Sequence, residues 1–375
     1  MKNWKATKFI VVCTTIALLF ALAGCAPAEE PAANNDAPAV DPDEVYSWTI
    51  QTSWPTGILL HEMAEKWGEK VEAASGGRME IEVLPSGAMV GALEVLDATH
   101  TRTIDGMHSW SAYWLGRNTA APFFSSVPML FEPTSHVMWM LDRGLDYQNQ
   151  LYQEELDLNV VAFMCGNTHP EIGAHSNVPL RELDDWIGTS YRVPGWMAEI
   201  LSDMGVAVTT LPGDEVYPSL ERGVIDAAEF SSPVVNHSLG FQEISDYYTG
   251  PGIHQPSVVF ELVINKDSFN ELPADLQLIV EYAAHAVTLE TWTEDVVRGS
   301  EILEIWQEDY GMERMEISEE AQLEFRQQAW DFIEAELEGN PFAQEVWSDA
   351  REFYIEFNDY EKLMVPTRAI PDEWN

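Results

Sequence analysis

Two hydrophobic periods take turns along this chain. Residues 45–51 alternate around Trp48 and Ile50, which predicts a strand. Residues 58–74 place Leu59, Leu60, Met63, Trp67 and Val71 at helical spacing, and Ser75-Gly76-Gly77 stops that helix. Met79, Ile81 and Val83 then alternate with Glu80 and Glu82, a strand with one wet face. Pro85-Ser86-Gly87 predicts a turn and residues 93–99 a helix. The middle of the chain repeats the scheme. Strands are predicted at 159–164, 190–193, 206–211, 225–230 and 256–265, with helices at 196–204 and 215–222 closed by Gly205 and Gly223. Beyond Pro273 the pattern is helical to about residue 364, with one short strand at 313–317. Strands and helices in this order predict an α/β fold whose sheets are covered by helices, with a helical C-terminal region. Two such lobes predict a cleft between them, a common place for a small-molecule site.

Charge changes the picture. Among 375 residues there are 19 Lys+Arg and 63 Asp+Glu, a formal charge of -44. No basic surface is available to replace counterions around phosphates, so nucleic acid is excluded as a default partner. The acidic excess runs along the whole chain, which reads as adaptation to a salty exterior rather than as a local binding patch. The few cations are unevenly placed. Lys2, Lys5 and Lys8 precede an apolar stretch at 9–22 that is short for a membrane span. Leu22-Ala23-Gly24-Cys25 follows, and small residues before a cysteine at that place read as a secretory signal peptide. Residues 25–44 carry almost no bulky apolar side chains and predict a disordered tether. The body of the chain is therefore expected outside the cytoplasm.

Candidate chemistry is sparse. Cys13 leaves with the signal peptide, so Cys165 has no partner for a disulfide once Cys25 is spoken for. It ends the apolar run 160–164, which predicts a buried strand cysteine rather than a nucleophile. His61-Glu62 lacks the second histidine of a zinc helix, and no phosphate-binding or nucleophile-elbow motif occurs. The nine histidines are scattered, never at metal spacing on one helix.

Several separated segments carry a resemblance. Leu22-Ala23-Gly24-Cys25 resembles the lipobox of bacterial lipoproteins, which implies cleavage before Cys25 and a lipid on it. Val83-Leu84-Pro85-Ser86-Gly87, residues 94–107, Leu183 to Gly188 with Tyr191-Arg192-Val193-Pro194-Gly195, residues 220–229 and Leu272-Pro273-Ala274 together resemble the DctP-type substrate-binding proteins of TRAP transporters. The resemblance covers residues 45–360 in register. It implies a two-lobed, periplasmic-binding-protein-like fold, with lobe 1 at 45–166 plus a return segment at 258–285, lobe 2 at 167–257, and a helical region at 286–375 spanning both.

Cys165-Gly166-Asn167-Thr168 and Tyr247 to Gly252 resemble the branch that binds 2-oxo and 2-hydroxy monocarboxylates with a metal cation. That likeness implies that Arg192 clamps the carboxylate, and a planar guanidinium suits that contact. It implies a cation, Na⁺ or Ca²⁺, held by Glu229, the carbonyl of Phe230 and two further side chains. Those two fall on Glu171, where the family has Gln, and on Gln255, where it has Glu, so the number of carboxylates is conserved. Phe230 stands where the family usually has Trp. Glu171 and Phe230 are also expected to face the substrate. In the resembled fold Trp54, Trp110, Tyr113, Trp114 and Trp196 face the cleft, with Tyr113, Trp114 and Trp196 favoured. Asn167 is expected to donate to a keto or hydroxyl oxygen, or to cap a turn.

The function expected is a non-enzymatic, lipid-anchored receptor on the outer face of the membrane or in the periplasm. It captures a small carboxylate and hands it to a TRAP-type permease. The alternatives are a metal-dependent extracytoplasmic enzyme acting on a small acid through Glu171 and Glu229, and a sensory ligand-binding lipoprotein. A homodimer is also expected from the resemblance, through the long helical stretch at 283–305 that contains Trp292, Val296 and Val297.

Overall fold

A computed structural model describes residues 44–211 and 213–366. The expected signal segment, Cys25 and the tether up to residue 43 lie outside the described residues. Eleven strands follow one another: β1 Tyr46–Thr52, β2 Met79–Leu84, β3 Gly106–Ser109, β4 Val160–Thr168, β5 Ala174–Ser176, β6 Ser190–Arg192, β7 Ala207–Thr209, β8 Ala227–Ala228, β9 Tyr247–Gly250, β10 Val258–Asn265 and β11 Glu313–Glu316. They form two sheets. The first has the order β2-β1-β3-β10-β4, and the second β11-β9-β5-β8-β6-β7.

In the first sheet β1 runs parallel to β2 and β3, while β10 runs antiparallel to β3 and β4. In the second, β6 runs parallel to β7 and β8, and β5 runs antiparallel to β8 and β9. The expected α/β architecture with a helical C-terminal region is what the chain adopts. The chain passes from the first sheet to the second between β4 and β5, returns between β9 and β10, and crosses again along the helix Ala274–Glu308 to reach β11.

Local sequence explains the principal elements. The helix Leu59–Ser75 buries Leu59, Leu60, Met63, Trp67 and Val71 and ends at Gly76, whose φ of 67° closes it in the left-handed region. The helix Ala274–Glu308 buries a stripe from Leu276 through Val280, Ala284, Val287, Thr291 and Asp295 to Trp306. It packs on the helix Leu59–Ser75, where the Trp67 indole donates to the carbonyl of Val280 at 3.1 Å. Cys165 is fully buried in β4, and burial pushes its thiol up, as its apolar run predicts. No described helix is long and apolar enough to cross a membrane.

Candidate ligand and cation site

The first sheet sends the ends of β1 and β3, together with β10, toward the second sheet; the second sends back the ends of β6 and β8. Ligands in α/β folds bind outside the carboxyl ends of parallel strands. Between them lies a small cavity. Trp54, Trp110, Tyr113 and Phe260 line it from the first sheet's side, and Arg192, Phe230 and Ser231 from the second's. Glu171 and Gln255 enter from the two connecting segments between the sheets. Those segments are stitched together, since the Glu171 amide donates to the Gln255 carbonyl at 3.2 Å.

Arg192 is the last residue of β6 and is only 2% exposed. Its Nη1 donates to Glu229 Oε1 at 2.6 Å and to the Glu229 carbonyl at 2.9 Å. Its Nε and Nη2 donate to the Leu211 carbonyl at 3.2 and 3.0 Å. The Phe230 ring lies 5.5 Å from the guanidinium carbon, an aromatic face against a cation. A buried charge persists only when it is paired and hydrogen-bonded, and here it is both.

Glu229 turns its other oxygen away from Arg192. Oε2 lies 3.2 Å from His254 Nε2, and Glu171 Oε2 lies 3.3 Å from the same nitrogen. All three side chains are buried. Their ligand atoms lie within 4.8 Å of one another, which is the spacing of donors around one ion. Glu171 Oε2 has no well-aligned hydrogen-bond partner and is shielded from solvent. A donor set of two carboxylates and an imidazole, with one carboxylate oxygen orphaned, fits a cation.

Electrostatics follow this geometry. Burial pushes the Glu171 carboxyl well above its ordinary range and the neighbouring Glu229 adds to it, while His254 opposes both. Burial also acts on Glu229, but Arg192 and His254 outweigh it and hold that carboxyl below its ordinary value. Burial by itself would depress the His254 imidazolium; the two carboxylates overcome it and raise the group to about 9. The Tyr113 hydroxyl is pushed up to about 12, chiefly by burial.

Of the residues singled out in the sequence, the structure gathers Arg192, Glu229, Phe230, Glu171, Gln255 and Tyr113 at this cavity, with Trp54 and Trp110 in its wall. Three others lie elsewhere. Trp114 follows Tyr113 in a turn of 3-10 helix, so its ring points the other way and its Nε1 donates to the buried Glu261 at 3.1 Å. Asn167 lies within β4, where its Oδ1 accepts from Ser257 at 3.4 Å, and it does not line the cavity. Trp196 stacks edge-on against Phe123 at 5.1 Å and lines a smaller cavity behind Gln255.

His254 is the residue that sequence reasoning missed. Its signal was position: it directly precedes Gln255, in Pro251-Gly252-Ile253-His254-Gln255. A search for histidines at helical metal spacing could not find it, because its partners come from segments more than twenty residues away in either comparison.

Comparison with known proteins agrees with this architecture. Residues 50–336 match bacterial extracellular solute-binding protein family 7, the DctP family. A monocarboxylate 2-oxoacid-binding periplasmic protein of a Nostoc species is 31% identical over 237 residues, 63% of this chain and 64% of that protein's length. The chain thus spans just under two thirds of that relative. A TRAP transporter solute-binding protein from Bordetella bronchiseptica, solved with calcium and picolinate, superposes with a TM-score of 0.81 at 24% identity. The superposition covers 86% of this chain and 95% of that one. One from Pseudoalteromonas atlantica, with sodium and pyruvate, gives a TM-score of 0.80 at 22% identity, covering 86% of this chain and 97% of its own. The matched range takes in every strand after the first few residues of β1 and the whole buried cluster of Arg192, Glu229, Glu171 and His254, and the chain belongs to the DctP family of extracellular solute-binding proteins, which bind rather than transform their ligands.

Proposed function

We propose that the protein captures a small 2-oxo or 2-hydroxy monocarboxylate, together with a cation, and delivers it to a TRAP-type permease. The observation that carries this reading is the buried Arg192 guanidinium at the wall of a cavity that also presents Glu171. The guanidinium's contacts with Leu211 and Glu229 leave one Nη2 hydrogen over, and release of Glu229 Oε1 to a cation would free an Nη1 hydrogen beside it, completing a planar donor pair for a carboxylate. Glu171, Glu229 and His254 would hold the cation, with Gln255 beside them, and the cation would take the substrate's second oxygen. The aromatic walls of Trp54, Trp110, Tyr113 and Phe230 exclude water and favour a compact ligand. The related proteins solved with pyruvate or picolinate and with sodium or calcium support the class of ligand.

The same reading places the lobes at 45–166 with 258–285 and at 167–257, closing on the ligand, and a lipid on Cys25 holding the receptor at the membrane. Two copies pair through the long helix, whose Leu289 and Val297 are 64% and 56% exposed. A monomer mass by light scattering in high salt would remove that part.

The central test is calorimetry with pyruvate, lactate and a dicarboxylate, each with and without cation. Monocarboxylate binding that depends on a cation is the expected result. Arg192→Lys keeps the charge but loses the fork, and should weaken binding about 30-fold or more, the worth of a charge-assisted pair. Unchanged affinity in a folded Arg192→Lys variant would remove Arg192 from the site.

A further inference from the structure

The smaller cavity behind Gln255 has a chemistry of its own. Trp110, Ser126, Trp196 and His254 border it, and of these four only Trp110 also borders the solute cavity. Each of the four residues is 5% exposed or less. Among the described residues, Trp110 Nε1, Ser126 Oγ, Trp196 Nε1 and His254 Nδ1 have no hydrogen-bond partner, and all four atoms are shielded from solvent. Buried polar atoms are almost always paired, so four orphans around one cavity call for an occupant. We propose that this cavity binds a small inorganic anion, with chloride as the type, held by the two indole N–H groups, the His254 Nδ1–H and the Ser126 hydroxyl. The anion is distinct from the solute and its cation, and its site does not depend on that reading.

Three observations choose an anion over a water molecule. The first is the count of donors. An indole nitrogen can only donate. His254 Nε2 is taken up by Glu229 and Glu171 at 3.2 and 3.3 Å. Its Nδ1 carries a hydrogen both when the charged ring sits between those carboxylates and when Nε2 faces a cation. Three N–H groups therefore need acceptors. A water offers two lone pairs and brings two hydrogens of its own, whereas an anion accepts from every side. The second is the lining. Among the described residues no acidic side chain borders the cavity, in a chain with 63 Asp and Glu. The third is a helix terminus. The helix Trp196–Asp203 begins here, and Gly195, Trp196 and Met197 all border the cavity. Gly195 is its N-cap, and no side chain caps it. The first N–H groups of a helix have no partner within it and carry partial positive charge, which favours an anion.

The chain's formal charge of -44 repels anions at long range, and salt shortens the reach of that field. Local donors therefore decide occupancy once salt is present. The anion also lies one imidazole ring away from the carboxylates of the cation site. Opposite charges so placed favour each other, and anion and cation should raise each other's affinity by the same factor.

The experiment uses the full chain without solute, at fixed Na⁺ and fixed ionic strength, with gluconate replaced stepwise by chloride or bromide. The indole N–H resonances of Trp110 and Trp196 should shift together and saturate as a one-to-one isotherm. Crystals grown in bromide should show one anomalous peak in this cavity. Trp196→Phe keeps a ring against Phe123 but removes a donor, and Ser126→Ala removes the hydroxyl; each should weaken halide binding about tenfold or more, the worth of a hydrogen bond to a charged group. Indole shifts that stay linear, equal shifts in gluconate, a cavity without bromide, or native halide affinity in folded Trp196→Phe would overturn the proposal. The resonances and the bromide peak are read on the native chain, so the result stands even if a variant does not fold. Pyruvate and a cation, added last, should leave the halide in place. Expulsion of the halide by pyruvate would give these donors to the solute and overturn a separate site. Saturable halide binding with no pyruvate bound under any cation would uphold the anion site and sink the carboxylate reading instead.

Discussion

Glu261 lies in β10, 1% exposed, and accepts from three side chains: Tyr152 at 2.6 Å, Gln148 at 2.6 Å and Trp114 at 3.1 Å. Burial raises its carboxyl to about 7 against the pull of those donors. The folded state therefore holds this proton more tightly than the unfolded chain does. The stabilisation is complete below the ordinary carboxyl value near 4.5 and is lost as pH rises through about 7. Glu261→Gln should flatten that slope, by an amount on the order of 3 kcal/mol between pH 4 and 8. Urea unfolding of both proteins across that range measures it, and parallel curves would contradict it. Gly252 is a second case in which one atom decides. A Cβ there would stand 2.2 Å from the Glu171 carbonyl oxygen, a backbone atom that cannot swing aside. Gly252→Ala should displace Glu171 and lower solute affinity at least about tenfold, since a misplaced polar contact loses most of its worth. Titration calorimetry giving the native affinity would show that the loop accommodates the methyl group. At this scale the sequence was legible where a motif names a residue, as at Arg192 and Glu229. It was not legible where a side chain's direction decides, as at Trp114, or where partners are remote in sequence, as at His254.

The helices Leu59–Ser75 and Ala274–Glu308 are joined by apolar packing and by ion pairs of Lys66 with Glu294 and of Lys70 with Glu290. The two kinds of contact differ in worth. The lysines are partly exposed, with side chains 24% and 33% accessible, and such pairs contribute about 1 kcal/mol or less. Trp67 is fully buried between the helices, and Trp67→Ala should cost about 3–5 kcal/mol through its cavity and lost packing. Denaturant unfolding should therefore rank Trp67→Ala far above Lys66→Met; comparable losses would mean that the ion pairs hold this interface. Element legibility tracked periodicity. The long helices and β1, β2, β4 and β10 carry clear apolar patterns. β3 is Gly-Met-His-Ser, buried at all four positions, so no face alternates. β5 and β9 have three and four residues, too few to show a period. Residues 111–155 yielded no expected elements, because short turns of 3-10, α and π helix succeed one another there without a sustained repeat.

For the whole molecule, a formal charge of -44 with 63 acidic residues makes self-repulsion a large term at low ionic strength. Added salt shortens its range, from roughly 10 Å at 0.1 M to about 3 Å at 1 M. The melting temperature should therefore rise by several degrees between those concentrations of NaCl, and most of the gain should come early, as screening sets in. Calorimetry showing a flat or falling trend would mean that the acidic groups are already balanced locally. Another property belongs to the molecule as a whole. Glu171 and the pair His254 and Gln255 are not on the sheets but on the connectors between them, the first before β5 and the others before β10. Connectors of this kind are where two bodies pivot. An ion held by both is therefore a clasp on the axle rather than a passenger in the cleft. Its departure loosens the joint as well as the grip, so the cation should act as a timer: solute should leave more slowly from the ion-loaded protein. Stopped-flow fluorescence can follow this through Trp54 and Trp110 in the cavity wall, and equal release rates with and without the ion would show that the pivot does not feel the clasp.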